Sequence, residues 1–561
     1  MPSGFTRPVA MGPWWPAVAL LAIGSLAFVH LLAIPVFEDE GSQIRWIDRI
    51  IEAGEWLGPM GDGKPLEAWP MVPFVRLGLP AIVVMRALHV LAGAVGAVLV
   101  FRIALRVLDW RAAFVSGILF GICPFVVYLQ RFALSDSFVC LAALTVCLSL
   151  LRFIERTRWR DAILLSTGLL LGALSKLPVG FVLMIATPLA LILMPAASRP
   201  RLLRAPARTR LLAAHVPVLL LALLIAAIAY VRVRRGQSPG FGLSDFLGVG
   251  LGQYRGIGDA MGAARMRLPG ELAAQLSWPV VLIGAAGIAV GACISDWRLR
   301  WLAASGIVPL LAIAALASFW FSRYLLFTLP PLIIVAVAGW CAVAARAGRS
   351  SRRLARTLAQ VALAALCIAC MVLMGHQSAL IVLDPTAASW SPVDRFQYFE
   401  GWSSGYGYPE AAAFLLAAPA VPANVFALDG HSAYQLRSYL PRARLPGVNS
   451  IDYGPDGRPL RTTRERRENL QRVEPAWIII PEPLLQRYLD ASFGKANHPD
   501  LRLIATFDKP GALTRLAIYE ASGEALASCS IPSTSAPRSS DIGNASAPAM
   551  RTCVREPWTL R

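Results

Sequence analysis

Long apolar blocks alternate with short, arginine-rich polar segments through the first 383 residues. The blocks run over about 16–36, 80–108, 112–129, 136–153, 161–177, 178–195, 212–231, 275–294, 302–320, 322–344 and 357–383. Most have the roughly 18–20 residues that carry a helix across ~30 Å of hydrocarbon. In lipid, a helix is the local structure that satisfies its own backbone polar groups. The pattern predicts a polytopic α-helical membrane protein with about 11 transmembrane helices. Two blocks are nearly continuous across Lys176–Leu177–Pro178. Together they are too long for one span, and the proline supplies the break. The first block is too long for the apolar core of a signal peptide and no A-x-A site follows it, so it reads as a span.

After residue 384 the pattern changes. Strand-like runs (Asn424–Leu428, Trp477–Pro481, Leu501–Thr506 and Leu513–Tyr519) alternate with helical stretches (Pro409–Leu416, Arg461–Gln471 and Glu482–Leu489). A soluble α/β domain over 384–522 is expected. Residues 523–561 are rich in Ser, Ala and Pro and read as a disordered tail.

Composition supports the membrane reading. Of the 561 residues, 56% are hydrophobic and 16% charged, and the mean hydropathy is +0.57. Soluble chains carry about 25% charged residues. A net charge of +19 would suit nucleic acid, but the basic residues are not gathered on a soluble domain. They fall in short clusters between apolar blocks, such as Arg152, Arg156, Arg158 and Arg160, or Arg346, Arg349, Arg352, Arg353 and Arg356. Such clusters are orientation signals, and no nucleic-acid partner is expected. With the N-terminus inside, the short inner segments hold 20 Lys and Arg and the longer outer ones 13. This places the N-terminus in the cytoplasm and residues after 384 outside.

Two long outer loops, 37–79 and 232–274, direct the search for chemistry to the outer face. The second carries Arg232, Arg234, Arg235, Arg255, Arg265 and Arg267. This excess fits an anionic partner or the anionic lipid surface. Cysteines show no metal-ligand spacing. Cys367 and Cys370 lie inside a predicted span as core residues, and Cys529 and Cys553 can pair where their side of the membrane is oxidising.

The first outer loop opens FEDEGSQ, with Glu38, Asp39 and Glu40 together. Clustered acids raise one another's pKa, and equally they cap a helix that starts near Gly41. The loop continues GDGKPLEAW, with Asp62, Lys64, Pro65 and Glu67. The chain has 53 Lys and Arg but only four Lys, and Lys64 and Lys176 both fall at the outer boundary. An ammonium there suits a phosphate, or snorkels to the interface. Asp136 in RFALSDSF, five residues after Arg131, opens the fourth span as either a functional acid or a helix cap. Arg323 and Tyr324 stand at another outer boundary, fitting a lipid phosphate head or an interfacial belt. No Walker loop or HExxH occurs.

Taken in order, these features resemble the GT-C superfamily of membrane glycosyltransferases, in particular the protein O-mannosyltransferase-like and lipid A aminoarabinose-transferase-like branches. The features are an acidic pair after the first span, a K-P later in the same loop, an Asp opening the fourth span, L-S-K-x-P-V-G between two spans and R-Y near a late span. The resemblance covers roughly residues 16–345 and makes 1–383 a transmembrane glycosyltransferase domain. It implies inverting transfer of a single sugar from a polyprenyl-phosphate donor to a hydroxyl on a glycan, lipid or protein acceptor, in the bilayer. By resemblance, Asp39 is the catalytic base, Glu40 its neighbouring acid and Asp136 the second acid. Lys64, Lys176, Arg323, Tyr324 and Arg131 face the donor phosphate. Relatives differ in metal use, so no cofactor is assigned and a divalent Mg or Mn stays open. Here the loop reads G-K-P-L where the family often has K-P-P or E-K-P, which removes the support for metal ligands in that stretch. An Arg- and Ala-rich, Lys-poor chain suggests a bacterial cytoplasmic membrane with undecaprenyl or decaprenyl phosphate as carrier. Two rivals remain at this point: an oligosaccharide polymerase or ligase using lipid-linked glycans, and a non-enzymatic transporter of lipid-linked sugars.

Overall fold

The computed structural model describes residues 14–61, 63–176, 182–234, 268–316, 322–349, 353–418, 424–427, 430–441, 448–450, 476–485 and 501–521. Among these, five helices are long and apolar enough to cross a membrane, or seven if each of two bent pairs makes one span.

The first apolar block does not stay helical. Helix α1 covers Trp15–Ser25 and tightens into a 3₁₀ turn over Leu26–Phe28, short of the expected end at 36. Two buried arginines take the carbonyls that follow. Arg131 donates to Val29 O at 2.8 Å and His30 O at 2.7 Å. Arg86 donates to Leu31 O, Ile34 O and Pro35 O. With these partners the backbone can leave the helix without orphaning its polar groups, and His30 adopts φ 51°.

The chain then enters α2 (Glu38–Ala53), an amphipathic helix that buries Ile44, Ile47 and Ile50 and ends at Gly54, φ 68°. A left-handed C-terminal residue is the ordinary role of glycine there. Helix α3 (Ala81–Ala104) follows. The expected span 112–129 is two helices, α4 (Trp110–Gly121) and α5 (Pro124–Leu129). Pro124 has no N–H to continue the first and suits the opening of the second. Helices α6 (Ser135–Arg156) and α7 (Trp159–Ser175) form an antiparallel hairpin. Of the most apolar stretch of α6, 72% is buried, which makes it the centre of the bundle. The break at Pro178 lies outside the described residues.

Next come α8 (Ala186–Leu193), α9 (Ala205–Arg234), α10 (Trp278–Ala292), α11 (Trp297–Leu316), α12 (Leu329–Gly348) and α13 (Arg353–Leu383). α10 and α12 meet backbone to backbone. A Cβ on Gly339 would stand 2.0 Å from Gly287 O, and one on Gly291 2.2 Å from Val335 O. Small residues permit such close approach between helices in lipid. Only 11% of α13's apolar stretch is buried, so most of its side chains face outward, while Cys370, Met374 and Ile381 are buried. Cys367 and Cys370 lie on it unpaired. Arg235, Arg255, Arg265, Arg267, Cys529, Cys553 and the 523–561 tail lie outside the described residues.

After α13 come α14 (Tyr408–Ala417), β1 (Asn424–Ala427), α15 (Gly430–Arg437), β2 (Val448–Ser450), β3 (Ala476–Pro481), β4 (Leu501–Asp508) and β5 (Arg515–Ala521). The five strands make one sheet in the order β2-β1-β3-β5-β4. β1 runs parallel to β2 and β3, and β5 antiparallel to β3 and β4. The expected strands at 424, 477, 501 and 513 form, and β2 is an addition. The expected helix 461–471 lies outside the described residues.

This sheet is tied to the start of the first loop. The Tyr439 hydroxyl accepts from Val36 N at 2.6 Å, and Gln435 Nε2 donates to Val36 O at 2.9 Å. Glu38 N donates to Ser403 O. Lys509, in the β4–β5 turn, donates to Gly401 O and Ser404 O, both at 2.9 Å. Thr514 Oγ1 donates to Glu400 O. The turn therefore clasps segment 400–404, which in turn holds the segment leading to Asp39.

Candidate active site

Asp39 sits in the first turn of α2, held by the Val36–Glu38 contacts above. Arg323, in a 3₁₀ stretch (Ser322–Thr328) before α12, donates to it at 2.8 Å. Arg323 Nε also stands 4.0 Å from Asp136 Oδ2, in the first turn of α6. Lys176, at the end of α7, places its Nζ 3.7 Å from Asp136 Oδ1 and 4.0 Å from the centre of the Tyr324 ring. Arg323 lies 5.7 Å from the same ring. Tyr324 thus offers its face to two cations. The side chains of Asp39 and Lys176 are 30% and 23% exposed, against 6% for Asp136. The first two line the wet side of the cluster, and Asp136 lies beneath them.

Lys64 adjoins the same group. Burial works against its ammonium, but Glu67 and Asp39 more than compensate and hold its pKa above the ordinary value. Glu67, wholly buried, is pushed up to about 7 by burial, with Lys64 pulling the other way and Asp39 and Asp136 adding repulsion. Five of the eight predicted residues therefore come together with the Tyr324 ring: Asp39, Lys64, Asp136, Lys176 and Arg323.

The remaining two, Glu40 and Arg131, have other work. Glu40 is fully buried. Its carboxylate accepts from Arg86 at 2.8 and 2.7 Å, from Phe37 N at 2.9 Å and from Ala133 N at 2.8 Å. No lone-pair direction is left for a substrate. Glu40 instead joins the start of α2 to the approach to α6, and so sets the distance between Asp39 and Asp136. Arg131, expected at the donor phosphate, spends both terminal nitrogens on the Val29 and His30 carbonyls.

Sequence reasoning also missed a buried polar layer behind Arg323. Asp394 accepts from Gln275 Nε2 at 2.6 Å and is raised by burial, with Ser322, Ser391, Gln275 and Arg323 opposing. The signal was present: S-P-V-D at 391–394 has capping-box spacing, and the Asp394 N–H donates to Ser391 Oγ at 3.2 Å. Asp39, Asp136 and Glu67 each lie against a cation. Among the described residues no three His, Cys, Asp or Glu side chains converge to hold a metal ion. Asp62 lies outside the described residues.

Residues 62–231 match the family model described as dolichyl-phosphate-mannose-protein mannosyltransferase. No curated protein matches the chain in sequence. Among solved structures, ArnT from Cupriavidus metallidurans bound to undecaprenyl phosphate superposes with a TM-score of 0.54 at 14% identity, covering 93% of this chain and 100% of that one. The chain has the GT-C fold of membrane glycosyltransferases. A second GT-C structure, the Archaeoglobus fulgidus oligosaccharyltransferase in complex with Zn and sulfate, gives 0.53 at 12% identity over 88% of this chain and 72% of that one. The archaeal AglB of the same organism, in complex with an inhibitory peptide and a dolichol-phosphate, gives 0.52 at 11% over 90% and 74%.

Proposed function

We propose that the chain is an inverting glycosyltransferase that moves a single sugar from a polyprenyl-phosphate donor to a hydroxyl acceptor at the outer face of a bacterial cytoplasmic membrane. One observation carries the reading: three cations from separate parts of the chain, Lys64, Lys176 and Arg323, gather around the two acids Asp39 and Asp136. The lipid phosphates named with ArnT and AglB, and the dolichyl-phosphate donor named in the matching family, support the same donor class.

The chemistry follows from the donor. The leaving group is a phosphate, a weak base, so no general acid is required. The acceptor hydroxyl needs a base, and the departing phosphate needs positive charge. In this reading Asp39 takes the hydroxyl proton as the acceptor oxygen attacks the anomeric carbon. The anomeric C–O bond breaks and its electron pair stays on the phosphate. Lys64, Lys176 and Arg323 receive that charge, and Asp136 orients Lys176 and Arg323. Donor phosphate competes with Asp39 for Arg323, so donor binding frees the base at the moment it is needed.

In the same proposal, residues 1–383 form the transmembrane domain with about eleven spans and the catalytic outer loop 37–79. The N-terminus is cytoplasmic, and 384–522 is a periplasmic α/β domain that braces the loop. The test is transfer of radiolabelled sugar from polyprenyl-phosphate donors to envelope extract by purified protein, wild type beside Asp39→Asn. Label transfer that requires Asp39 supports the assignment. A fully active Asp39→Asn removes Asp39 as the base.

A further inference from the structure

The reaction proposed above changes charge. A sugar phosphodiester carries one negative charge, and the polyprenyl phosphate monoester left behind carries up to two, its second pKa lying near 6. The residues around the site are balanced before any ligand arrives: Lys64, Lys176 and Arg323 against Asp39, Asp136 and Glu67. A monoester dianion in their midst leaves the buried cluster with excess negative charge, which is costly away from water.

Of the three acids, Glu67 is the least supported. Asp39 has Arg323 at 2.8 Å and partial exposure to water. Asp136 has both Lys176 and Arg323. Glu67 is 0% exposed. No hydrogen bond of ordinary geometry reaches either of its oxygens, although the Ser135 hydroxyl lies close. The groups that face it are Lys64 on its own turn, Asp39 from α2, Ser135 and Asp136 from α6, and α7, which packs on the turn and ends in Lys176.

We propose that Glu67 is the site's proton store: above neutral pH it is ionised while the site is empty or holds the phosphodiester, and it takes up a proton when a phosphate monoester occupies Lys64, Lys176 and Arg323. This rests on the reading of the previous section. The proton comes from solvent, forms one O–H bond on the carboxylate, and returns to solvent as that bond breaks when the monoester leaves; no other covalent bond changes. Burial has already pushed this carboxyl up to about 7, and a dianion beside it pushes it further in the same direction, so that it holds its proton above neutral pH. By reciprocity, the monoester binds more tightly when Glu67 is already protonated. Product release is then favoured at higher pH.

The test uses undecaprenyl phosphate and the full-length protein in detergent. Calorimetric titration at pH 8.0, in two buffers of different ionisation enthalpy, counts the protons taken up. At this pH the phosphate's own titration is complete. The expected result is uptake of close to one proton by the wild type, with affinity falling about tenfold per pH unit from 7.5 to 8.5. Glu67→Gln should take up close to none and bind with a flat pH profile. Wild-type binding without proton uptake overturns the proposal and leaves the phosphate site standing, and this needs no variant to fold. Unchanged uptake in Glu67→Gln also overturns it, because another group holds the proton. Absence of undecaprenyl phosphate binding at every pH removes the phosphate site and this proposal with it.

Discussion

Arg323 Nη1 donates to Asp39 Oδ2 at 2.8 Å, joining the start of α2 to the approach to α12 across 284 positions of sequence. A carboxylate gripped by a guanidinium is a poor base, so in the mechanism proposed above the pair is a resting arrangement that donor phosphate would loosen.

Asp39→Asn should lower transfer by roughly 100- to 10,000-fold, the usual contribution of a positioned base, while carrier binding persists. Arg323→Ala should lower transfer and also weaken undecaprenyl phosphate binding. The double variant should lose less than the product of the single losses, because the two residues act as a unit. Initial rates and carrier affinities of the three proteins decide this.

Glu40→Ala should behave unlike its neighbour. It strips Arg86 of its carboxylate inside the protein, and breaking such a pair costs about 3–5 kcal/mol. Thermal unfolding in detergent should show a large drop for Glu40→Ala and little change for Asp39→Asn. Equal melting temperatures would place Glu40 outside the frame.

Gly339→Ala should destabilise the α10–α12 contact, since the new Cβ would meet Gly287 O at 2.0 Å. Overpacking of this kind costs about 1–3 kcal/mol. Gly284→Ala, on the same pair but with nothing within 4 Å, is the control and should be neutral. The readout is detergent resistance of the folded fraction.

Lys509 makes the C-terminal clasp sensitive to pH. Burial brings its pKa down to about 7 from an ordinary 10.5, with Glu38 opposing. Between those values the unfolded chain holds a proton that the folded one has released. Stability contributed by the clasp therefore rises with pH from about 7 toward 10.5 and is lowest below 7. Hydrogen exchange at 401–404 should slow from pH 6.5 to 8.5 once corrected for intrinsic rates. Lys509→Met should abolish that extra protection, and a wild type without it would show that the buried ammonium does not govern the clasp.

Much of this architecture was legible because lipid imposes length and apolarity on each span. The residues that ended spans early were not. Helix α1 stops where Arg86 and Arg131 capture its following carbonyls, and backbone acceptors leave no mark on a side-chain pattern. The five charged residues of the cluster were found by their type and their place at span boundaries. Asp39 and Glu40 could not be separated in the same way. Adjacent positions on a helix point about 100° apart, and the partner that claims Glu40 is Arg86, 46 residues downstream. Glu67 was noticed but given no role, since burial beside Lys64 is a property of the folded turn. Asp394 lay beyond the last span, where the reading expected a separate soluble domain.

The clasp around segment 400–404 also bears on how the protein is made. Asp39 precedes Lys509 and Thr514, which fasten the loop beside it, with most of the helical bundle lying between them in sequence. The helices can form one by one, but the segment leading to Asp39 is not locked until the hairpin formed by β4 and β5 has docked. Without the hairpin formed by β4 and β5, the helices could all be in place while the approach to Asp39 stayed loose, so the geometry of the charged cluster depends on an element far from it in sequence.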